Sequence, residues 1–218
     1  MVYLLPEDEL IFPEPYAGEE DGLIAVGGDL STDRLLLAYS NGIFPWFAFR
    51  DSKFPYWYCP LDRFVIFPEE IHISHSMRQL IKKGRYQVTF NKDFNGVIRG
   101  CSEVNLRMEK KGAWLGEDMI AAYTELHRLG YAASVEVWEN DVLVGGLYGV
   151  TIGNAFCGES MFSNVPDASK LALIYLAQRL QGLGMLIDCQ FETPHLLSMG
   201  GRHIPYPKYM AVLKGKSA

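Results

Sequence analysis

No stretch of eighteen apolar residues occurs in this chain, although 49% of its 218 residues are hydrophobic, so no transmembrane helix is expected. Basic residues are in short supply: 20 Lys and Arg stand against 26 Asp and Glu, a formal charge of −6. That disfavours a protein that coats nucleic acid indiscriminately but leaves room for a local basic face. Cysteines number four, at 59, 101, 157 and 189, with no C-x-x-C pair and no metal-ligand spacing among them and the five histidines. Free thiols and no metal are expected. The opening "MVYLLPEDELIFPEP" lacks a basic n-region and is cut by prolines and acids, so it does not read as a secretory leader, and a cytoplasmic location is expected. Internal repeats and low-complexity segments are lacking, as is a glycine pattern with the strand-to-helix spacing of a phosphate loop: "GGDLS" and "VGGLYG" read as turn and packing glycines.

What the chain does have is a change of texture near residue 64. Before it come most of the eleven prolines and a dense set of aromatics ("FPWFAF", "FPYWYCP"), too apolar for a linker. One helix stands out there, from about Ser31 to Asn41, with Ser31 as N-cap, Asp33 in the first turn and Gly42 as the stop. After it the pattern is regular: a basic helix "HSMRQLIKKG", a strand "YQVTF", a short helix opening near Asp93, and the amphipathic helix "EDMIAAYTELHRLG". Between the last two, "LRMEKKG" (106–112) reads as a charged loop before Trp114. Three strands in a meander follow, turning at "END" and "IGN". The helix "DASKLALIYLAQRLQGLG", capped by Asp167 or Ser169, then leads to a strand "LIDCQ" parallel to the last of the three. The expectation is an α+β protein with a small N-terminal part, residues 1–64, and a larger part, 65–218.

Strict alternation puts Cys157, Glu159 and Met161 on one face of their strand, and Leu186, Asp188 and Gln190 on one face of theirs. If the strands are neighbours, two acids and an amide converge among apolar residues. Uncompensated burial of such groups costs several kcal/mol, so they are candidates for a site. Trp46 and Trp114, each flanked by structure-breaking residues, read either as hydrophobic plugs or as stacking surfaces for a nucleobase. Leu173, Leu176 and Leu180 have core spacing and can also wall a pocket. Arg78, Lys82 and Lys83, with Arg85 just beyond, form either a solvated helix face or a modest phosphate-contacting patch. His195 is a weaker candidate, since a lone histidine is more often a structural hydrogen-bonder.

"GLIAVGGDLSTDRLLLAYSNGIFPWF", "FCGESMFS", "ASK" and "LIDCQ", in this order and spacing, closely resemble the bacterial leucyl/phenylalanyl-tRNA–protein transferases, from about Gly22 to Pro205. The resemblance implies a GNAT-like acyltransferase domain, a mixed sheet flanked by helices, behind a small N-terminal α/β subdomain. It implies an aminoacyltransferase that moves Leu or Phe, and less readily Met, from aminoacyl-tRNA to the N-terminal Arg or Lys of acceptor proteins, marking them for ClpS-assisted proteolysis. No cofactor is implied. Catalytic or positioning groups fall on Asp188 and Gln190, with Glu159 as a further polar group, and family tyrosines near the site on Tyr39 and Tyr123. Stacking and pocket tryptophans fall on Trp46 and Trp114. The aminoacyl side-chain pocket falls on Leu147, Phe156, Met161, Leu173, Leu176, Leu180 and Ile187, and tRNA phosphates on Arg78, Lys82, Lys83 and Arg85. His75 and Gln79 stand where relatives carry arginine, which shifts the expected tRNA contacts toward Lys83 and Arg85.

The ester of an aminoacyl-tRNA is already activated, and the α-amine of the acceptor has a pKa of roughly 7.7–8.0, so little base strength is required. Asp188 can act there either as a general base or as an electrostatic positioner. Two rival readings exist. A CoA-dependent acyltransferase needs a glycine-rich pyrophosphate loop, where this chain has "SNVPDASK". A noncatalytic tRNA-binding module has no use for the Asp188/Gln190 pair. A monomer is expected, for want of an obvious exposed apolar stripe.

Overall fold

The computed structural model describes residues 2–46, 54–108 and 115–215, with the backbone alone for 104–108. Near the N-terminus, β1 (Tyr3–Leu5), β2 (Leu23–Gly27), β3 (Phe44–Trp46) and β4 (Tyr56–Tyr58) make a four-stranded sheet in the order β1-β2-β4-β3. Between β2 and β3 lies α1 (Thr32–Ser40), where the sequence signals place it: the Ser31 hydroxyl accepts the Arg34 N–H at the N-cap. The chain then crosses into a second sheet of β5 (Asp62–Ile66), β6 (Gln87–Phe90), β7 (Ala132–Glu139), β8 (Val142–Ile152), β9 (Ala155–Ser163), β10 (Leu186–Gln190) and β11 (Arg202–Pro205). Its spatial order is β11-β5-β10-β9-β8-β7-β6. Both sheets are mixed, and the architecture is α+β. A boundary after residue 64 falls inside β5, which pairs wholly within the larger sheet.

The larger sheet is covered on both faces. On one side α3 (Phe94–Met108) and α4 (Glu117–Arg128) pack together with α1, the small sheet and α7 (Tyr206–Leu213) in a single core. On the other, α5 (Ala168–Leu180) buries Leu171, Leu173, Ile174 and Leu176, with Met77 of α2 (His75–Lys82) and Met199 after α6 (Pro194–Ser198) in the second core. Each leucine taken from water contributes about 1.5–3 kcal/mol, so packing is the main force that holds α5. Its cap is unlike the expected one: Asp167 occupies the left-handed region and makes no capping bond, while the Ser163 hydroxyl accepts the Ser169 N–H. The meander β7-β8-β9 and the parallel β9/β10 pair are as the sequence predicts. α3 is longer than predicted, running through Met108 into the stretch read as a loop.

Strict alternation fails at two points, and both matter. Along β9, Gly158 lies opposite Gly149 and Ser160 opposite Tyr148, so Glu159 is an extra residue that faces no partner on β8. This bulge swaps the faces beyond it: Cys157 belongs to one core and Met161 to the other, not to a shared face. Gly149 permits it, since a Cβ there would sit 2.2 Å from the Cys157 carbonyl oxygen. In β10 the register against β5 skips at Cys189, and Gln190 takes φ of 60°, which turns its side chain away from the face it would share with Asp188. β9 and β10 pair only from Ala155/Leu186 to Cys157/Asp188, and both bulges follow at once. Two parallel strands thereby part at their carboxyl ends, where open α/β sheets commonly bind ligands.

Candidate active site

The gap between the parting strands is a cavity of about 270 Å³, floored by Gly158 of β9 and by Cys189 and Gln190 of β10, with Leu173 and Leu176 of α5 on its wall. Leu147, Phe156, Met161 and Ile187 complete its apolar lining. Six of the seven residues predicted for a side-chain pocket therefore meet in one chamber. Leu180, one turn farther along α5, is buried in the same core but does not line it. An apolar cavity of about 150 Å³ accepts a benzene ring, so the chamber has room for a phenyl or isobutyl group. A second cavity of about 250 Å³ is walled by Phe44, Trp46 and Phe191. Trp46 stands 38% exposed, its ring centroid 5.2 Å from that of Phe191. Trp114 lies outside the described residues.

Glu159, Ser160, Cys189, Gln190, Thr193 and Leu196 line both cavities and so mark their junction. The Gln190 amide Nε2 donates to Glu159 Oε1 at 3.4 Å, and the Tyr123 hydroxyl donates to Glu159 Oε2 at 2.9 Å. Behind it Tyr39 and Tyr123 are buried with their hydroxyls 2.6 Å apart. Because the Tyr123 proton serves Glu159, Tyr39 donates to Tyr123. Neither tyrosine lines the two cavities. Burial pushes the Glu159 carboxyl up to about 7, opposed by the Tyr39 and Tyr123 hydroxyls, with Asp188 adding to the rise and Arg63 reducing it.

Asp188 is placed differently from its neighbours. It is fully buried and lines neither cavity. Arg63, also buried, donates Nε to Oδ1 at 2.8 Å and Nη2 to Oδ2 at 2.7 Å; Tyr209 OH donates to Oδ2 at 2.9 Å and the Gln190 N–H to Oδ1 at 2.9 Å. Four donors occupy the acceptor positions of the carboxylate. The Arg63 guanidinium is itself sandwiched 4.8 Å from the centroids of the Phe44 and Tyr209 rings and donates Nη1 to the Gly42 carbonyl. Asp188 thus locks the Gln190 backbone into its turned conformation. The sequence reading passed over Arg63 and Tyr209, although an arginine at the head of the strand "RFVIF" was a legible sign of a buried ion pair.

His195 lines the chamber, with Nε2 buried and no partner among the described residues, and burial holds its pKa low. Of the basic set, Arg78 and Lys82 are exposed on α2 and Lys83 at its C-cap, while Arg85 pairs with Glu139 across the sheet edge. Among the described residues no three of His, Cys, Asp and Glu converge as metal ligands, and no helix is long and apolar enough to cross a membrane.

A chamber that grips an apolar side chain, with a carboxylate and an amide at its mouth, suits an enzyme that holds an acyl group by its tail and presents the carbonyl carbon: an acyltransferase. Sequence comparison says of which kind. Residues 65–214 match the model of the family described as leucyl/phenylalanyl-tRNA protein transferase, and residues 28–61 match that family's N-terminal domain. The chain belongs to this family, an aminoacyltransferase family using aminoacyl-tRNA as donor and protein as acceptor. It is 51% identical to the leucyl/phenylalanyl-tRNA–protein transferase of Syntrophobacter fumaroxidans over 208 residues, 94% of this chain and 87% of that one. Identity to the Flavobacterium johnsoniae enzyme of the same name is 46% over 217 residues, 99% and 100% of the two chains. Among solved structures, that of L-PGS from Bacillus licheniformis aligns over 80% of this chain and 57% of its own, at 12% identity and a TM-score of 0.42.

Proposed function

We propose that the chain transfers leucine or phenylalanine, and less readily methionine, from aminoacyl-tRNA to the N-terminal Arg or Lys of acceptor proteins, in a GNAT-like domain. The observation that carries this reading is the chamber: a largely apolar lining with room for these three side chains, bordered by Glu159 and Gln190 where they meet. The second cavity, with Trp46 and Phe191 as flat walls, takes the terminal nucleoside by stacking. The ester carbonyl then lies between the cavities, at the Glu159/Gln190 junction. The partly buried carboxylate at that junction supplies negative potential for an incoming cationic N-terminus. Gln190, held by Asp188, orients the reactants, and proximity supplies much of the rate.

The test is a mass-spectrometric transfer assay with Leu-tRNA or Phe-tRNA and matched peptides beginning with Arg, Lys or Ala. One added residue on the Arg and Lys peptides only is the expected result; addition to none, or to all three, overturns the reading. A second expectation concerns α2. Lys82 and Lys83 are exposed cations without an ion-pair partner among the described residues, and we assign them to tRNA phosphates. Replacing both by alanine is expected to raise KM for aminoacyl-tRNA, leave kcat at saturation unchanged, and reduce the slope of log affinity against log salt by about two. An unchanged salt slope in a binding titration removes α2 from the tRNA surface.

A further inference from the structure

We propose that Glu159 takes the proton from the attacking amine and returns it to the leaving ribose oxygen, and that Tyr123 and Tyr39 position its carboxylate from behind. The inference rests on the transfer reading above and assigns the proton within it. Four groups compete for that role. His195 lines the chamber but not the second cavity, so it stands off the junction where the ester lies. Asp188 is shut off from both cavities, its oxygens occupied by Arg63, Tyr209 and the Gln190 N–H. Gln190 is an amide, with negligible affinity for a proton in water. Glu159 is the carboxylate that lines both cavities, and among the described residues its Oε1 accepts only the long 3.4 Å hydrogen bond from Gln190, which leaves a lone pair for the junction.

Its setting is built from both parts of the chain. The extra residue of the β9 bulge places the carboxylate at the junction, and Tyr123 from α4 fixes Oε2. Tyr39, from α1 beside the small sheet, fixes Tyr123. Facing Glu159 besides these are Asp188 of β10 and Arg63 of β5, whose opposite charges cancel in large part, and the phenol of Tyr148 on β8. A carboxyl raised to about 7 is matched to proton transfer near neutral pH.

In the step itself the neutral α-amine attacks the ester carbonyl carbon, and the C–N bond forms as the nitrogen loses a proton to Glu159. The ester C–O bond then breaks with its electron pair on the ribose oxygen, which takes the proton back from Glu159. The carboxylate is regenerated and no co-reactant is consumed.

The experiment is kcat and kcat/KM against pH, from about 5 to 9, with Phe-tRNA and an Arg-peptide acceptor. The wild type should show an acid limb near pH 7, below which Glu159 is protonated and cannot accept a proton. A second limb at roughly 7.7–8.0 belongs to the acceptor amine and stays fixed in every variant. Tyr123→Phe removes a donor to the ionised carboxylate, so the enzyme limb moves to higher pH, and Tyr39→Phe moves it the same way. Glu159→Gln should lose at least about 100-fold in kcat with little change in KM for Phe-tRNA. The inference is overturned if Glu159→Gln keeps kcat within about threefold or raises KM alone, or if Tyr123→Phe leaves the limb in place; should Glu159→Gln fail to fold, the Tyr123→Phe limb decides. Wild-type protein that transfers nothing overturns the transfer reading itself, a result distinct from any of these.

Discussion

Asp188→Ala is expected to lower the free energy of unfolding by about 3–5 kcal/mol and to abolish transfer. The first effect follows from what the substitution leaves behind: Arg63, buried at 1% exposure, keeps its charge and loses both of its bonds to carboxylate. Breaking a buried pair from one side strands a charge, and that residual charge accounts for most of the cost. The second effect is indirect. Without the Oδ1 acceptor, the Gln190 N–H has no anchor for its left-handed turn, and Gln190 with φ near 60° has no intrinsic reason to stay there. Urea unfolding by fluorescence gives the first number and the transfer assay the second. The double variant Arg63→Met/Asp188→Leu separates them: removing both charges should recover most of the stability while activity stays lost. If the single alanine variant unfolds within about 1 kcal/mol of wild type, the pair is not the anchor described.

Asp188→Asn carries the same distinction further. Asparagine keeps one carbonyl oxygen for the Gln190 N–H but offers Arg63 a donor in place of the second oxygen. A residue acting by position retains part of its activity under that change, and the pH profile keeps an acid limb, moved to lower pH because the Asp188 charge that raises the Glu159 carboxyl is gone while Arg63 remains. The buried pair and the chemistry thus respond to different measurements.

Much of this geometry was legible in the sequence because it depends on period. The α1 cap at Ser31, the meander from Ala132 to Ser163, the hydrophobic α5 and its parallel return strand each repeat a pattern over at least five residues. The convergence of Glu159 with Gln190 was legible too, since parallel neighbours bring equivalent strand ends together. The two bulges were not, because a single extra residue alters no composition. Their only marks are Gly149 and Gly158, which also suit an ordinary packed strand. For this reason alternation grouped Cys157 with Met161 and Asp188 with Gln190, whereas the structure turns Glu159 and Gln190 into the cavities and leaves Asp188 in the core. The four-stranded sheet was hidden for another reason: three of its strands are only three residues long and rich in aromatics or proline, so period-2 alternation has no room to appear. Trp57 at 0% exposure is held there by its indole N–H donating to the Gly27 carbonyl, a tertiary bond that no local pattern announces.

The chamber itself offers the cleanest test of specificity, through a glycine on its floor. Gly158 lies on the same face of β9 as Phe156, beside the cavity, and the nearest atom to a Cβ built on it is the Asp188 carbonyl oxygen at 3.6 Å, an ordinary contact. Gly149, its partner across the strands, allows no such addition. A side chain at 158 therefore grows into empty volume without disturbing the bulge, and stability should change by less than about 1 kcal/mol. Each methylene's worth of space in an apolar pocket is worth about 1–3 kcal/mol of discrimination. Gly158→Ala should then penalise phenylalanyl transfer more than leucyl transfer, by roughly tenfold in the ratio of kcat/KM. Gly158→Leu should suppress both by at least about 100-fold, while binding of uncharged tRNA, which places nothing in the chamber, is unchanged. Equal losses for the two donors in Gly158→Ala would mean that the aminoacyl side chain lies elsewhere, and the cavity between β9 and β10 would lose its assignment.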